Sequence, residues 1–286
     1  MLPTKEKIVV ALSEIEEFSP APVILASALK LLSDPLADLE GIASLVARDS
    51  ALTADIIRCA NSVYYGGGTS TGIFEAVQKV GVRETMRLLN LAVARIVSSR
   101  DLTCYGIHGT DYWAESLFNG LFMHRLAIET GGNDPEEAYT TGLLRYIGRL
   151  AINQTLEHLH GGLFWNGQDS LAEWERENVG LVQAEVGAKL LGRWRFPGSI
   201  VQAVGAQDAP ATLPDGNWLA DALFFASALL PQGTGTPFLP AIGTNWPEPP
   251  KVSTFMDHHD LTPDAVDAML QATSATFDEI RENFGA

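Results

Sequence analysis

Apolar residues recur every three to four positions along most of the chain, which is the spacing of one face of an α-helix. The stretch from Val82 to about Val97 is typical, with apolar side chains at Met86, Leu89 and Val93. Turn signals flanked by alternating polar and apolar residues, which mark β-hairpins, do not accompany this pattern. The pattern therefore predicts an all-α protein built from short helices.

Capping residues and glycines mark where the predicted helices begin and end. Asp134-Pro135, followed by two glutamates, is a strong helix start, because aspartate caps the first turn, proline suits its first position and acids interact well with the helix dipole. The helix that begins there is predicted to run unbroken through Ile147 to Ala151. Further helices are predicted over Ile73 to Val80, Trp113 to Ile128, Leu171 to Asn178, Val182 to Trp194, Ser199 to Ala206, Trp218 to Leu230 and Pro263 to Asn283.

Two lapses in the helical pattern suggest how the chain is divided. The first lies between Cys104 and Thr110, and we place a domain boundary there, between an N-terminal helical subdomain (1–105) and a C-terminal helical subdomain (106–286). The second runs from Pro231 to Pro250 and holds six of the fifteen prolines. A loop or linker is therefore predicted near residues 231–250, before a C-terminal helix.

The net charge narrows the range of partners. It is −16, from 35 acidic and 19 basic residues. Such a surface repels nucleic-acid phosphates and anionic lipids, so neither nucleic acid nor a membrane is an expected partner. The chain has no apolar run of the roughly 20 residues that cross a bilayer and no signal-peptide core, and its cysteines, Cys59 and Cys104, are too few for a disulfide framework. A cytoplasmic location is expected.

Motifs of nucleophilic or nucleotide chemistry are missing from the sequence: it has no Gly-x-Ser-x-Gly elbow, Walker loop or Gly-x-Gly-x-x-Gly segment. His258-His259 lies in loop-like sequence, and we interpret it as a solvated loop because adjacent residues rarely converge on one ion. His124 lies on an apolar helix and is interpreted as a core histidine. No catalytic residue, metal or cofactor is therefore predicted.

Six short motifs follow one another between about residues 15 and 210. They are Asp49-x-Ala51-Leu52-Thr53, Ala60-Asn61-Ser62-x-x-Tyr65-Gly66, Ala76-Val77-x-x-Val80-Gly81, Tyr112-Trp113-x-x-Ser116, Gly142-Leu143-Leu144-x-x-Ile147-Gly148-Arg149-Leu150 and Ala184-Glu185-Val186-Gly187. Together they resemble the HDOD family, the HD-related output domains of bacterial signal transduction. The resemblance implies an N-terminal helical bundle packed on a C-terminal bundle related to HD phosphohydrolases.

The resemblance also indicates where a metal site would lie. HD enzymes bind a divalent metal through histidines and aspartates and hydrolyse phosphoesters with metal-bound water. The adjacent His-Asp pair of that motif falls on Arg145-Tyr146, and further histidines fall on Glu115 and Gln183. Arginine repels the cation that a histidine binds, and tyrosine is a poor ligand near neutral pH. The resemblance therefore implies a noncatalytic signalling or scaffold protein that contacts other signalling proteins.

The vestigial HD cleft is one candidate binding site. Arg145 and Arg149, one turn apart on the predicted helix, could hold a nucleotide phosphate or another small anion together with Glu115, Tyr146 and Gln183. The alternative, which the acidic composition favours, is a solvated helix face on which both arginines pair with acids.

The segment around Asn61, Tyr64 and Tyr65 is a second candidate, for a protein partner. Two tyrosines beside the glycine run Gly66-Gly67-Gly68 suit an interaction surface. The alternative is a structural role, with Asn61 ending a helix and Tyr65 packing across the loop.

Two further functions compete with the signalling role. A divergent metal phosphohydrolase would use Glu115, Asp208 and the loop from Asp257 to Asp260. A nucleic-acid-binding regulator would use the helix pair from Leu39 to Cys59, although Arg58 is the sole base of its second helix and recognition helices need basic or amide side chains.

Overall fold

The structure, a computed structural model, describes residues 2–14, 27, 39–48, 50–61, 70–97, 101–159, 162–209, 216–229 and 250–284. Within these ranges the regular structure is helical apart from an isolated antiparallel bridge between Leu102 and Ile107. The predicted all-α class is confirmed. The helices of these ranges include none long and apolar enough to cross a membrane.

The contacts divide the chain into two compact units. The smaller consists of Glu17–Val97 and Leu191–Pro197, and the larger of Met1–Glu16, Ser98–Leu190 and Gly198–Ala286. The first helix belongs to the larger unit because it packs on the helix that starts at Ile147. The predicted division into subdomains at residue 105 stays a prediction.

Four described helices build the smaller unit. They are α2 (Leu39–Val46), α3 (Ser50–Ala60), α4 (Ile73–Val80) and α5 (Val82–Val97). Helix α4 packs on α2, α3 and α5. Their apolar faces supply a core of buried side chains that includes Ile42, Val46, Leu52, Ile56, Val77, Met86 and Leu89.

Except for Leu191–Arg193 of the helix that starts at Gln183, which belong to the smaller unit, the larger unit contains the remaining described helices. They are α1 (Lys5–Glu14), α6 (Gly109–Thr130), α7 (Pro135–Leu144), α8 (Ile147–His158), α9 (Leu171–Asn178), α10 (Gln183–Arg193), α11 (Gly198–Ala206), α12 (Trp218–Leu229), α13 (Pro250–His258) and α14 (Pro263–Phe284). Helix α6 packs along α7 and also against α12 and α14. The predicted start of α7 is confirmed, since Asp134 accepts the main-chain N–H groups of Glu136 and Glu137.

Glycines set two close helix crossings in the larger unit. A Cβ on Gly142 would lie 2.5 Å from the carbonyl oxygen of Asn119, so α7 rests directly on the backbone of α6. A Cβ on Gly148 would lie 1.9 Å from the carbonyl oxygen of Gln183, and one on Gly187 would lie 3.3 Å from Cγ2 of Ile147. Helices α8 and α10 therefore cross backbone to backbone, which no larger residue would permit.

Several helices differ from the predicted pattern. The predicted single helix from Asp134 to Ala151 is interrupted at Arg145 and Tyr146. Helix α1 was not predicted, and α13 ends at His258, so the predicted loop begins one residue later, at His259. His258 is exposed as predicted, but the prediction of solvent is wrong for His259, which packs on aromatic rings with its centroid 4.5 Å from that of Phe255. The predicted linker near 231–250 falls almost wholly outside the described residues.

Candidate functional site

The turn between α7 and α8 is the centre of the site. The main-chain N–H of Arg149 donates to the carbonyl of Tyr146 at 2.9 Å, a tighter closure than an α-helix uses. The carbonyl of Arg145 is instead satisfied by Nε2 of Gln207, 3.0 Å away. The side chain of Gln207, from a distant part of the chain, thus takes the place of a helical hydrogen bond at Arg145. The helix is interrupted here even though its apolar periodicity continues.

The Arg145 guanidinium lies inside the larger unit, with only 1% of the residue exposed. Its Nη1 donates to Oδ1 of Asn119 at 2.8 Å, its Nε donates to Oε1 of Gln207 at 3.3 Å and its Nη2 donates to the hydroxyl of Ser227. These partners lie on α6, just after α11 and on α12. The predicted solvated face is therefore wrong for Arg145, because its guanidinium is buried and donates to side chains of the same unit instead of to water.

Tyr146 lies between two cations. The Cζ atoms of Arg145 and Arg149 lie 4.6 Å and 4.1 Å from the centre of its ring. Burial raises the pKa of Tyr146 to about 12, although the charge of Arg145 opposes the rise. The phenol therefore stays protonated at neutral pH, and its ring serves as a face for cation–π contact.

Arg149 is also buried, with 2% of the residue exposed, so the predicted solvated face is wrong here too. Burial alone would lower the pKa of Arg149, but Tyr146, Glu115 and Glu175 raise it, and the net shift is upward. Its Nε and Nη1 find no hydrogen-bond acceptor among the residues that the structure describes. Arg149 is thus a buried cation stabilised by nearby negative charge and by an aromatic ring.

Glu175 on α9 completes the polar cluster. One of its carboxylate oxygens accepts the Tyr105 hydroxyl at 2.9 Å, and the other accepts the main-chain N–H of Gln183 at 2.7 Å. Burial raises the pKa of Glu175, while the Gln183 N–H and the charge of Arg149 act against the rise. Glu175 thus links the start of α10 to the segment before α6, beside Arg149.

The five residues predicted for the cleft all lie buried in the larger unit. The guanidinium groups of Arg145 and Arg149 both lie over the ring of Tyr146. The negative charge of Glu115 raises the pKa of Arg149. The main-chain N–H of Gln183 donates to the carboxylate of Glu175. We call Glu115, Tyr146, Arg149, Glu175 and Gln183 the Arg149 cluster. Arg145 forms a separate set of hydrogen bonds with Asn119, Gln207 and Ser227, which we call the Arg145 hub.

The residues of the cleft do not suit a catalytic metal. The Arg145 guanidinium fills the place of the expected His-Asp pair with a fixed positive charge, which repels a divalent cation. Asp208, a ligand of the competing phosphohydrolase hypothesis, is exposed. Across the described ranges, histidines, cysteines and acids do not gather into groups of three or more that could hold a metal ion.

Sequence reasoning missed Asn119, Gln207, Ser227 and Glu175. Their partners lie far away in the chain: Ser227 is 82 residues from Arg145, and Tyr105 is 70 residues from Glu175. Local sequence signals do not mark these residues, because their partners are brought to them only by the tertiary fold.

The second candidate segment is described at its ends. The Asn61 amide donates Nδ2–H to the carbonyl of Ser70 at 2.9 Å and accepts the Ser70 N–H at 2.7 Å. Tyr64 and Tyr65 lie outside the described residues. Asn61 is therefore bound to Ser70 through a pair of hydrogen bonds from its side-chain amide.

His124 has the environment expected of a core histidine. Its Nε2 lies 3.5 Å from Oε1 of Glu136, and its ring stands at right angles to that of Tyr139, with centroids 6.3 Å apart.

Solved structures of other proteins share this fold. Solved structures with the same fold include an HDOD domain protein of unknown function from Geobacter sulfurreducens (20% identity, 96% of this chain and 95% of that chain, TM-score 0.67), a proposed signal transduction protein from Marinobacter aquaeolei VT8 (20%, 98% and 65%, TM-score 0.70) and a proposed phosphohydrolase from Shewanella amazonensis SB2B (21%, 93% and 93%, TM-score 0.60).

A curated relative and a family model agree with these structures. An uncharacterized protein of Treponema pallidum is 25% identical over 198 residues, which cover 66% of this chain and 37% of that protein, so the chain spans little more than a third of it. The family model of the HDOD domain matches residues 19–210. The chain therefore belongs to the HDOD domain family.

Proposed function

We propose that this protein is a noncatalytic HDOD signalling or scaffold protein that acts through contacts with other proteins. The observation that carries the proposal is the Arg145 hub. Where the resemblance to HD enzymes places a metal-binding pair, the guanidinium instead ties together the side chains of Asn119, Gln207 and Ser227. The position that would serve chemistry in an enzyme serves here to hold three parts of one helical unit together.

The proposed role of the hub is to cross-link the helices of the unit, as a metal does in an enzyme. In an HD enzyme the metal cross-links several helices through its ligands, and its removal frees them. A guanidinium has five N–H donors in a fixed plane and can cross-link several acceptors in the same way. The buried hub therefore replaces the mechanical role of a metal while supplying neither a Lewis acid nor an activated water.

The experiment is a paired metal and activity measurement on the purified protein. We expect substoichiometric iron, manganese, nickel and zinc by elemental analysis, and no hydrolysis of bis-p-nitrophenyl phosphate or p-nitrophenyl phosphate with any of these metals added. Stoichiometric metal together with metal-dependent hydrolysis would overturn the proposal. The proposed phosphohydrolase of Shewanella amazonensis, which shares the fold, is a suitable comparison protein for the assay.

For the partner surface we propose the segment that contains Tyr64 and Tyr65. The proposal is supported by the two bonds between the Asn61 amide and Ser70, the described residues on either side of this segment. The double variant Tyr64→Ala/Tyr65→Ala should lose capture of the native partner from a lysate of the source cells while keeping its melting temperature. Phe74→Ala removes an exposed aromatic side chain of the same unit and is the matched control.

A further inference from the structure

Arg149 is buried yet leaves donors unused. Its Nε and Nη1 find no acceptor among the residues that the structure describes, although almost none of the residue is exposed. A buried guanidinium nitrogen without a hydrogen bond has lost its hydration and regained little for it, which is costly. Arg145, four residues earlier, contrasts with it, because each of its side-chain nitrogens has a partner. The two arginines of the cleft therefore have different roles.

The Arg149 cluster also contains an unused acceptor. Oε1 of Gln183 is buried and finds no donor in the described part of the chain. The main-chain N–H of the same residue donates to Glu175, whose negative charge acts on Arg149. Free donors and a free acceptor thus belong to one polar cluster, in which Glu115 and Glu175 supply negative charge near the cation.

We propose that the Arg149 cluster binds a protonated phosphate group, either free phosphate or the end of a small phosphomonoester. The inference rests on the noncatalytic function proposed above and names the ligand class of the vestigial cleft. The unused N–H groups of Arg149 require acceptor oxygens, which phosphate supplies. The unused oxygen of Gln183 requires a donor, which a P–OH group supplies because the second pKa of a phosphomonoester is near neutrality, about 6.

The same chemistry excludes related anions. Sulfate and phosphodiesters carry acceptor oxygens but no proton at neutral pH, so they cannot donate to the oxygen of Gln183, which stays unsatisfied. The burial of Arg149 also limits the size of what can reach it to a small ligand. Cyclic dinucleotides, whose phosphates are all diesters, are therefore not expected to bind, in contrast to the general anion site that the paired arginines suggested in the sequence.

Phosphorus NMR with thermal melting tests the proposal on the full-length protein. At pH 6.5 we expect inorganic phosphate or methyl phosphate to broaden on addition of protein and to raise its melting temperature, whereas dimethyl phosphate and sulfate do neither. The relative affinities of inorganic phosphate and methyl phosphate identify the free ion or the ester as the source. Sulfate binding as tightly as phosphate, or the absence of broadening with both phosphates, would overturn the proposal.

Two variants locate the site. Arg149→Met should weaken phosphate binding by about tenfold to a hundredfold, the loss expected for charged hydrogen bonds. Arg125→Met is the matched control, because Arg125 is a half-buried arginine of the same unit that bonds Ala272 and Thr276, and it should leave binding unchanged. Gln183→Leu removes the acceptor without altering Arg149 and should also weaken binding, so the test stands even where Arg149→Met does not fold. Unchanged binding in Arg149→Met or in Gln183→Leu contradicts the proposal.

The same spectra separate this inference from the proposed function. A new inorganic phosphate resonance growing from methyl phosphate would show hydrolysis and refute the noncatalytic role. Intact methyl phosphate that fails to bind would refute the ligand alone.

Discussion

Replacing Arg145 by methionine should destabilise the larger unit by about 3 kcal/mol. Methionine keeps most of the side-chain volume and removes the charge, so the loss of stability comes mainly from the lost hydrogen bonds. Each partner oxygen loses the hydrogen bond that it accepts from Arg145. The same side chains still donate elsewhere: Asn119 Nδ2 to the carbonyl of Glu115, Gln207 Nε2 to that of Val204 and the Ser227 hydroxyl to that of Leu223. A buried acceptor left without its donor costs about 1 kcal/mol at the lower end of the usual range, and three of them give the total.

Thermal unfolding followed by circular dichroism measures the effect. For a domain of this size, about 3 kcal/mol corresponds to a fall in Tm of roughly 6–12 °C. The control is Arg125→Met, whose two bonds at 3.3 Å are partly exposed and should cost about 1 kcal/mol or less. Chelator should leave the Tm of the unmodified protein unchanged. A Tm for Arg145→Met as high as that of the control, or a large fall on chelation, would refute the hub as the element that holds these helices.

Three further predictions address the crossing, the carboxyl group and the loop closure. Gly148→Ala should lower the free energy of unfolding by about 3 kcal/mol or more, because its Cβ would lie 1.9 Å from a carbonyl oxygen on α10. The control is Gly198→Ala, whose Cβ would meet no atom within 4 Å and which should be neutral or slightly stabilising. Urea titration measures both variants. The pKa of Glu175 is raised in the folded protein, so the folded state binds a proton more readily than the unfolded state and stability should fall as pH rises from about 4.5 towards neutrality. Glu175→Gln should flatten that part of the Tm–pH profile, and an unchanged slope would show that another group titrates there. Asn61→Ala removes both bonds to Ser70 and should cost about 1–2 kcal/mol of unfolding free energy in the smaller unit, while loss of partner capture with unchanged stability would assign Asn61 to binding instead.

Local signals in the sequence located most of the helices. Ile73–Val80 and Val82–Val97 begin and end where apolar spacing and Gly81 predict, and Asp134 caps α7 as its side chain and the following proline indicate. These signals act over a few residues, through backbone hydrogen bonds and one apolar face, and can be read from the order of residues alone. Helices α1 and α13 are exceptions, and α13 depends on an aromatic contact with α12, which lies far away in the sequence.

The candidate site depended on information that is not local. The resemblance placed Arg145, Tyr146 and Arg149 in the cleft, but composition favoured solvent for both arginines because arginine is rarely buried. Their burial depends on partners contributed by other helices, such as Gln207, which is 62 residues from Arg145. Pairing at that distance follows from the tertiary fold, so the sequence could identify the residues of the site without showing which of them were already engaged.

The crossing of α8 over α10 at Gly148 and Gly187 has a consequence for how this family diverges. The two helices meet through backbone atoms, so their spacing does not depend on the side chains at Arg145, Tyr146 and Gln183 that flank the contact. Substitutions at those positions can accumulate without moving the helices that carry them. A lineage could thus exchange metal ligands for a cation, or one recognition chemistry for another, while the frame around the cleft is inherited intact. We therefore expect related sequences to vary at the flanking positions and to retain both glycines.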